Sequence, residues 1–237
     1  PISYTRKNNI VIDGLEIISN SRIRCIELYD CENVIIKNSR FVSPYHQAIY
    51  LYGCKNVTIE DCSFENVNFA LKASTSQGVR FDHNDVLNIT GYMHIKNPTG
   101  DEFGGMAQFI TVTGANNSIS YNVCENIAGL SDLEDIINTF GMSGGTHDSP
   151  LIIKGNWIRG GGTSNSGTGI VIGDYGGKYS IVQDNVLINP GQAGIGIAGG
   201  QNMTLKDNIV YSKRMNNTNV GMVVYNWTEN RYGAFEN

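Results

Sequence analysis

One short pattern recurs eight times along the chain, and it limits what the chain can fold into. Each copy opens on a turn residue, often Asn. It continues apolar, any residue, apolar, then two residues that include a small or amide side chain, then apolar again. The copies start at Asn9 (NIVIDGLEI), Asn33 (NVIIKNSRF), Asn56 (NVTIEDCSF), Gly78 (GVRFDHNDV), Asn116 (NNSISYNVC), Pro150 (PLIIKGNWI), Tyr179 (YSIVQDNVL) and Asn202 (NMTLKDNIV). Their seventh residues fall at 15, 39, 62, 84, 122, 156, 185 and 208, in steps of 24, 23, 22, 38, 34, 29 and 23. Four steps share a unit of 22–24 residues, and the three long ones exceed 23 by 15, 11 and 6, as inserted loops would. Self-similarity at a fixed short period is the signature of a solenoid or array.

A second short strand accompanies each copy. Examples run over 25–29, 48–52, 70–72, 109–113, 136–138, 169–173, 194–198 and 221–225, alternating apolar with small or polar residues. Period-two alternation over three to five residues marks half-buried strands, and no segment carries a 3.6-residue period over ten positions. A leucine-rich repeat lacks its leucine framework here, and a propeller blade needs about 40 residues. Of 237 residues 28 are Gly and only 16% are charged, against a usual quarter or so. That is too apolar for disorder and too poor in charge for a coiled coil. No run of 18 apolar residues exists to span a membrane. A net charge of −5 argues against a duplex nucleic-acid partner.

On these repeats the chain resembles a right-handed parallel β-helix of the pectin-lyase-like kind, from about Asn9 to Tyr225. The reading is an all-β, single-stranded parallel β-helix of about eight coils, a single domain over 1–237. Stacked coils about 4.8 Å apart make a rod roughly 35–40 Å tall. Stacking also predicts an asparagine ladder at Asn9, Asn33, Asn56, Asn116 and Asn202, and an inward row of Ile12, Ile36, Ile59, Phe81 and Ile119. Cys25, Cys31, Cys54, Cys62 and Cys124 read as buried thiols, with a Cys31–Cys54 bond as the alternative. Solenoid ends need caps. Trp227, Tyr232 and Phe235 can fold over the last coil, whereas residues 1–8 hold no capping helix. That end therefore points to a fragment, a neighbouring domain or an oligomer contact.

The resemblance also implies where chemistry would sit: a groove along one strand face, with catalytic groups in the turn leading into the Gly-Ile-x-Ile type strand. Asp132, Glu134 and Asp135 enter the strand at 136–138 as paired acids do in polygalacturonase-type hydrolases. There, one acid stays protonated and one ionised because like charges drive their pKa values apart. A third acid belongs on a neighbouring coil, with Asp101 and Glu102 in reach. Lyase chemistry needs a basic group and a cation instead, for which Arg159 is the candidate, with Arg40, Lys96, Lys213 and Arg214 behind it. Asn138, Tyr50, Tyr52, His46 and Lys96 are the expected substrate contacts. The glycine runs at 160–169 and 173–177 read as tight turns.

These features support a carbohydrate-active β-helix protein acting on a polysaccharide by lyase, hydrolase or epimerase chemistry. The alternatives are a non-catalytic polysaccharide-binding or surface-attachment module and a purely structural solenoid. Ca²⁺ is the cofactor a polyuronate would bring, with no ligand set readable in advance. The resemblance implies a secreted, periplasmic or surface-exposed location.

Overall fold

The computed structural model describes residues 1–94, 103–164, 167–218 and 220–226. Each coil crosses three strand faces, and each strand pairs in parallel with the coils above and below. Face II is an eight-stranded sheet running from Asn8–Asp13 to Gln201–Lys206. Faces III and I join into one 15-stranded sheet, because Arg40–Tyr52 and Ser63–Ser74 run unbroken around the corner between them. Among the described residues there is no α-helix, only a 3-10 turn at Gly91–His94. The right-handed parallel β-helix read from the sequence is the fold. Along face III, Ile17, Phe41, Phe64, Val86, Cys124, Ile158, Leu187 and Val210 stand in register. Their spacing reproduces the eight-copy steps.

The corners turn on residues in the left-handed region. Asn9, Asn33, Asn56, Asn116 and Asn202 take φ of 52–62° before face II, and Asn38, Asp61, His83, Tyr121, Asp184 and Asp207 take 48–58° after it. Asn and Asp tolerate this conformation through local side-chain hydrogen bonds, which explains why they recur at these points. This also corrects the expected ladder. The left-handed backbone leaves the first set of asparagines at the exposed surface. Only Asn33 to Asn9 (3.4 Å) and Asn56 to Asn33 (3.2 Å) bond amide to amide there.

The buried ladder stands at the seventh repeat position. Asn84 donates through Nδ2 to Asn122 Oδ1 (3.1 Å), and Asn122 likewise to Asn156 (2.9 Å). Asn156 then donates to Asn185 and Asn185 to Asn208, both at 2.9 Å. The first four of these asparagines are fully buried. Each Nδ2 also donates to a backbone carbonyl one coil back, as Asn122 does to Phe81 and Asn156 to Ile119. Leu15, Ser39 and Cys62 hold the position in the first three coils. Asn33→Gly keeps the left-handed turn and removes only exposed amide contacts. It should change stability by no more than about 0.5 kcal/mol in thermal melts.

The predicted inward row is buried, from Ile12 at 4% exposure to Ile119 at 0%. Phe41 and Phe64 stack at 5.1 Å, with Phe81 5.6 Å beyond. All five cysteines are free and buried, so the alternative Cys31–Cys54 bond is absent. Burial raises the Cys25 and Cys62 thiols to about 11 and Cys124 to about 12, which keeps them protonated and inert. The strand expected at 109–113 is Gly105–Ile110 instead, because Thr111 already turns at φ 55°. The first coil begins earlier than expected, with Ile2–Thr5 pairing Ile26–Tyr29 on face I. Trp227, Tyr232 and Phe235 lie outside the described residues.

Candidate functional site

The long coils spend much of their extra length at the corner between faces III and I. Described residues of that corner, 90–94 and 103–104, 126–136, and 160–164 and 167, lead into the strands Gly105–Ile110, Ile137–Phe140 and Thr168–Asp174. The middle segment carries the three acids and is held tightly on both sides. Tyr92 N–H donates to the Asp132 carbonyl at 2.7 Å, and Glu134 N–H to the Phe103 carbonyl at 3.1 Å. Two glycines permit this approach. A Cβ at Gly91 (φ 51°) would sit 2.1 Å from the Asp132 carbonyl oxygen, and one at Gly162 would sit 1.9 Å from that of Leu133. Gly162→Ala must push backbone aside. It should lower stability by about 1–3 kcal/mol in a denaturant melt.

Asp132 is tied to the next coil, where its Oδ1 accepts from Thr163 Oγ1 at 2.7 Å and Thr163 N–H at 3.2 Å. It thus clamps one corner segment to the next. Asp135 turns to the strand face. Its Oδ1 accepts from Thr168 N–H at 2.7 Å, and its Oδ2 from Asn138 Nδ2 at 2.7 Å. The same Asn138 nitrogen reaches Asp174 Oδ2 at 3.4 Å on the following coil. The two acid oxygens therefore lie within about 6.1 Å of each other. Ile137 belongs to the core, so alternation points Asn138 out of the helix toward these acids.

Burial and charge set the protonation of this pair. Burial lifts the Asp135 carboxyl from its ordinary 3.8 to about 7. The hydrogen bond from Asn138 opposes the rise, and the charge of Glu134 adds to it. Asp174 is raised for the same leading reason, with Asn138 opposing and Glu134 adding. The Tyr92 phenol, facing the segment from the preceding coil, is raised by burial and then by Glu134, Asp135 and Asp132. A proton is thus retained near neutrality at a spot where two carboxyls share one amide donor.

The structure brings Asp135, Glu134 and Asn138 together and adds Asp174, which the sequence reading placed in a glycine turn. Arg159 lies elsewhere, at the end of Trp157–Arg159 on face III, ion-paired with its register neighbour Glu125. Tyr50 stands three strands from Asn138 along the outward column Tyr50, Lys72, Gln108, Asn138, about 14 Å away. The Arg24 guanidinium covers one face of its ring at 4.0 Å. Tyr52 is 46% exposed in the adjacent column, and His46 sits at the corner within Arg40–Tyr52. Lys96, Asp101 and Glu102 lie outside the described residues. Among the described residues no three His, Cys, Asp or Glu side chains gather as a metal site. Ca²⁺ takes six to eight oxygens. Asp135 and Asp174, shared with an amide donor, do not make such a cage.

Among solved structures the chain resembles the Streptococcus pneumoniae surface protein and adhesin PfbA, with a TM-score of 0.56 at 11% identity. That match covers 94% of this chain and 68% of the adhesin. DFA-IIIase from Arthrobacter chlorophenolicus A6 without its lid matches with a TM-score of 0.50 at 12% identity, over 95% of this chain and 64% of that one. The chain thus spans about two thirds of each. At such identities the likeness is one of fold. No curated protein matches in sequence. The right handed beta helix region family matches residues 2–172. With three strand faces, parallel coils and a buried asparagine ladder behind that match, the chain belongs to the right-handed β-helix family.

Proposed function

We propose that the protein acts on a polysaccharide lying along face I and cleaves it hydrolytically between Asp135 and Asp174. One observation carries this reading: two carboxyls on successive coils share the Asn138 amide, and one of them holds its proton to about pH 7. Glycoside hydrolysis needs a protonated acid for the departing oxygen and an ionised partner for the anomeric side. Asp135, the more enclosed, gives its proton to the glycosidic oxygen. Asp174 serves as the carboxylate that activates water or meets the anomeric carbon. Asn138 positions both. The described corner residues 90–94 and 160–164 flank one side of the groove. Lyase chemistry finds less support, because Arg159 is engaged with Glu125 on another face. A polymer of this kind is met outside the cytoplasm, which favours a secreted, periplasmic or surface location.

The test is a panel of pectin, alginate, rhamnogalacturonan, glycosaminoglycans and neutral glycans, followed by reducing-end release and by ultraviolet absorbance of unsaturated ends. New reducing ends without absorbance should appear on at least one polymer. Asp174→Asn should remove them, and Arg159→Ala should keep turnover within about twofold, since exposed ion pairs contribute little. Absorbance would move the reading to a lyase. Retention in an affinity gel without any product would move it to an attachment module.

A further inference from the structure

The outer surface of face III changes character along the rod. Ile158 and Leu187 belong to the core and Val210 packs against it, so alternation turns their strand neighbours outward. In the first coils the outward residues are charged and already paired, with Arg40 shared between Glu16 and Glu65. Further along, Trp157 is followed in register by Val186 and Ile209, and Arg159 by Ile188 and Tyr211. Tyr211 is 66% exposed and Trp157 half-buried. Two aromatic side chains thus flank one guanidinium. The Trp157 ring lies 6.0 Å from it, and Tyr211 stands two strand steps away, about 9.6 Å.

Where this stretch meets the corner it opens into a cavity of about 330 Å³. Backbone bonds between successive coils make its floor rigid. Asn126 N–H donates to the Arg159 carbonyl at 2.8 Å, Gly160 N–H to that of Ile188 at 2.9 Å, and Asn189 N–H to that of Tyr211 at 2.8 Å. Arg159, Lys213 and Asn189 line the cavity with donors, Ile127 and Met215 with apolar surface, and Glu125 with a carboxylate. The Lys213 backbone is fixed by Asn189 Oδ1 at 3.0 Å, while its ammonium has no acid partner among the described residues. Glu125 engages Arg159 through Nη2, in a pair whose side chains are 32% and 52% exposed. Such a pair is weak, and it leaves further guanidinium N–H groups to donate. Two cations against one acid make this spot positive on a chain of net charge −5.

We infer that this end of face III binds an acidic glycan, with a sugar-borne carboxylate or sulfate in the cavity between Arg159 and Lys213 and neighbouring rings on Trp157 and Tyr211. The guanidinium meets such an anion through paired N–H groups, and the ammonium adds a point charge. Aromatic side chains offer the sugar rings flat apolar surface. The site lies on a different face from Asp135, Asn138 and Asp174, and holds a polymer without cleaving it.

Titration calorimetry on the whole chain carrying Asp135→Asn, which keeps face I from consuming the polymer, tests this by binding alone. The probes are polygalacturonate, alginate, chondroitin sulfate, neutral xylan, free glucuronate and inorganic sulfate. At least one acidic polymer should bind at least about tenfold more tightly than xylan, and added salt should weaken it. Arg159→Ala, Lys213→Ala and Tyr211→Ala should each raise its Kd by about three- to tenfold, with unchanged circular dichroism spectra. Equal binding of xylan, binding that survives Arg159→Ala and Lys213→Ala combined, or no binding of any acidic polymer overturns the inference. Free glucuronate or sulfate bound as tightly as the polymer would show a simple anion pocket and overturn the glycan assignment. A dimer in sedimentation that Tyr211→Ala dissolves would give the face to a second copy of the chain and overturn it as well.

Discussion

Asp135→Asn should lose at least about a hundredfold in turnover at pH 6, the low end of what a positioned general acid supplies, while the protein becomes more stable at pH 8. The second effect follows from where the proton sits. In the folded protein the carboxyl keeps its proton up to about pH 7, whereas the unfolded chain releases it near 3.8. Between those values the native state binds the extra proton, so stability falls as pH rises from about 4 to about 7 and then levels. Asparagine resembles the protonated acid and escapes that loss. At pH 4 the variant and the parent should melt within a degree or two of each other. At pH 8 the variant should gain up to about 4 kcal/mol, an upper figure since Glu134 and Asp174 share the repulsion. The parent's activity should decline through an alkaline limb near pH 7. Melting curves at the two pH values settle the matter: a variant less stable than its parent at pH 8 would show that Asp135 is held as a salt-bridged or hydrogen-bonded anion, not as an acid.

Asn156→Ala should be among the most destabilising single changes in the molecule. Its Nδ2 serves the Ile119 carbonyl at 2.8 Å and Asn185 Oδ1 at 2.9 Å, while its Oδ1 accepts from the Asn122 N–H at 3.0 Å and Asn122 Nδ2 at 2.9 Å. Truncation strands two donors and a carbonyl in a fully buried corner, at about 1–3 kcal/mol for each. A loss of about 4–6 kcal/mol is expected, read as a lower urea midpoint with little change in slope. The contrast with Asn33→Gly matters most. Both residues belong to repeated asparagine columns, but only one column is out of water. Equal losses for the two would mean that burial does not decide the strength of the ladder.

The repeat period was legible because stacking demands it. Residues one coil apart must be alike where they touch, and the face III register runs through the positions counted from the sequence. The inward row from Ile12 to Ile119 was legible for the same reason. The expected ladder holds only among Asn9, Asn33 and Asn56, and the buried one was missed, since Asn is favoured both at left-handed turns and in buried amide columns, and composition does not separate the two. Only the local geometry does, by turning one set of side chains out and the other in. At the site, Asp135 and Asn138 were readable from their place before and within a strand. Asp174 was not. The pairing of the two strands shifts register between Asn138 and Phe140, so that Phe140 meets Asp174 where a constant step would meet Gly173. That irregularity brings the acid to the column beside Asn138, and no spacing rule anticipates it. Arg159 was placed on the right coil but ends on face III, because its strand finishes before the corner is turned.

The amide column has an end, and that end has a mechanical meaning. It runs from Asn84 to Asn208, while Leu15, Ser39 and Cys62 occupy the first three levels. In a stack where each level touches only its neighbours, a tug on both termini unwinds the molecule like thread from a spool, one turn after another. The turns without the column give way first under small force, and the rest resist until each amide link is torn in sequence. Asp135, Asn138 and Asp174 ride on the resistant levels. A chain pulled from both ends would therefore lengthen from its N-terminal turns while the levels that carry Asp135, Asn138 and Asp174 stayed folded.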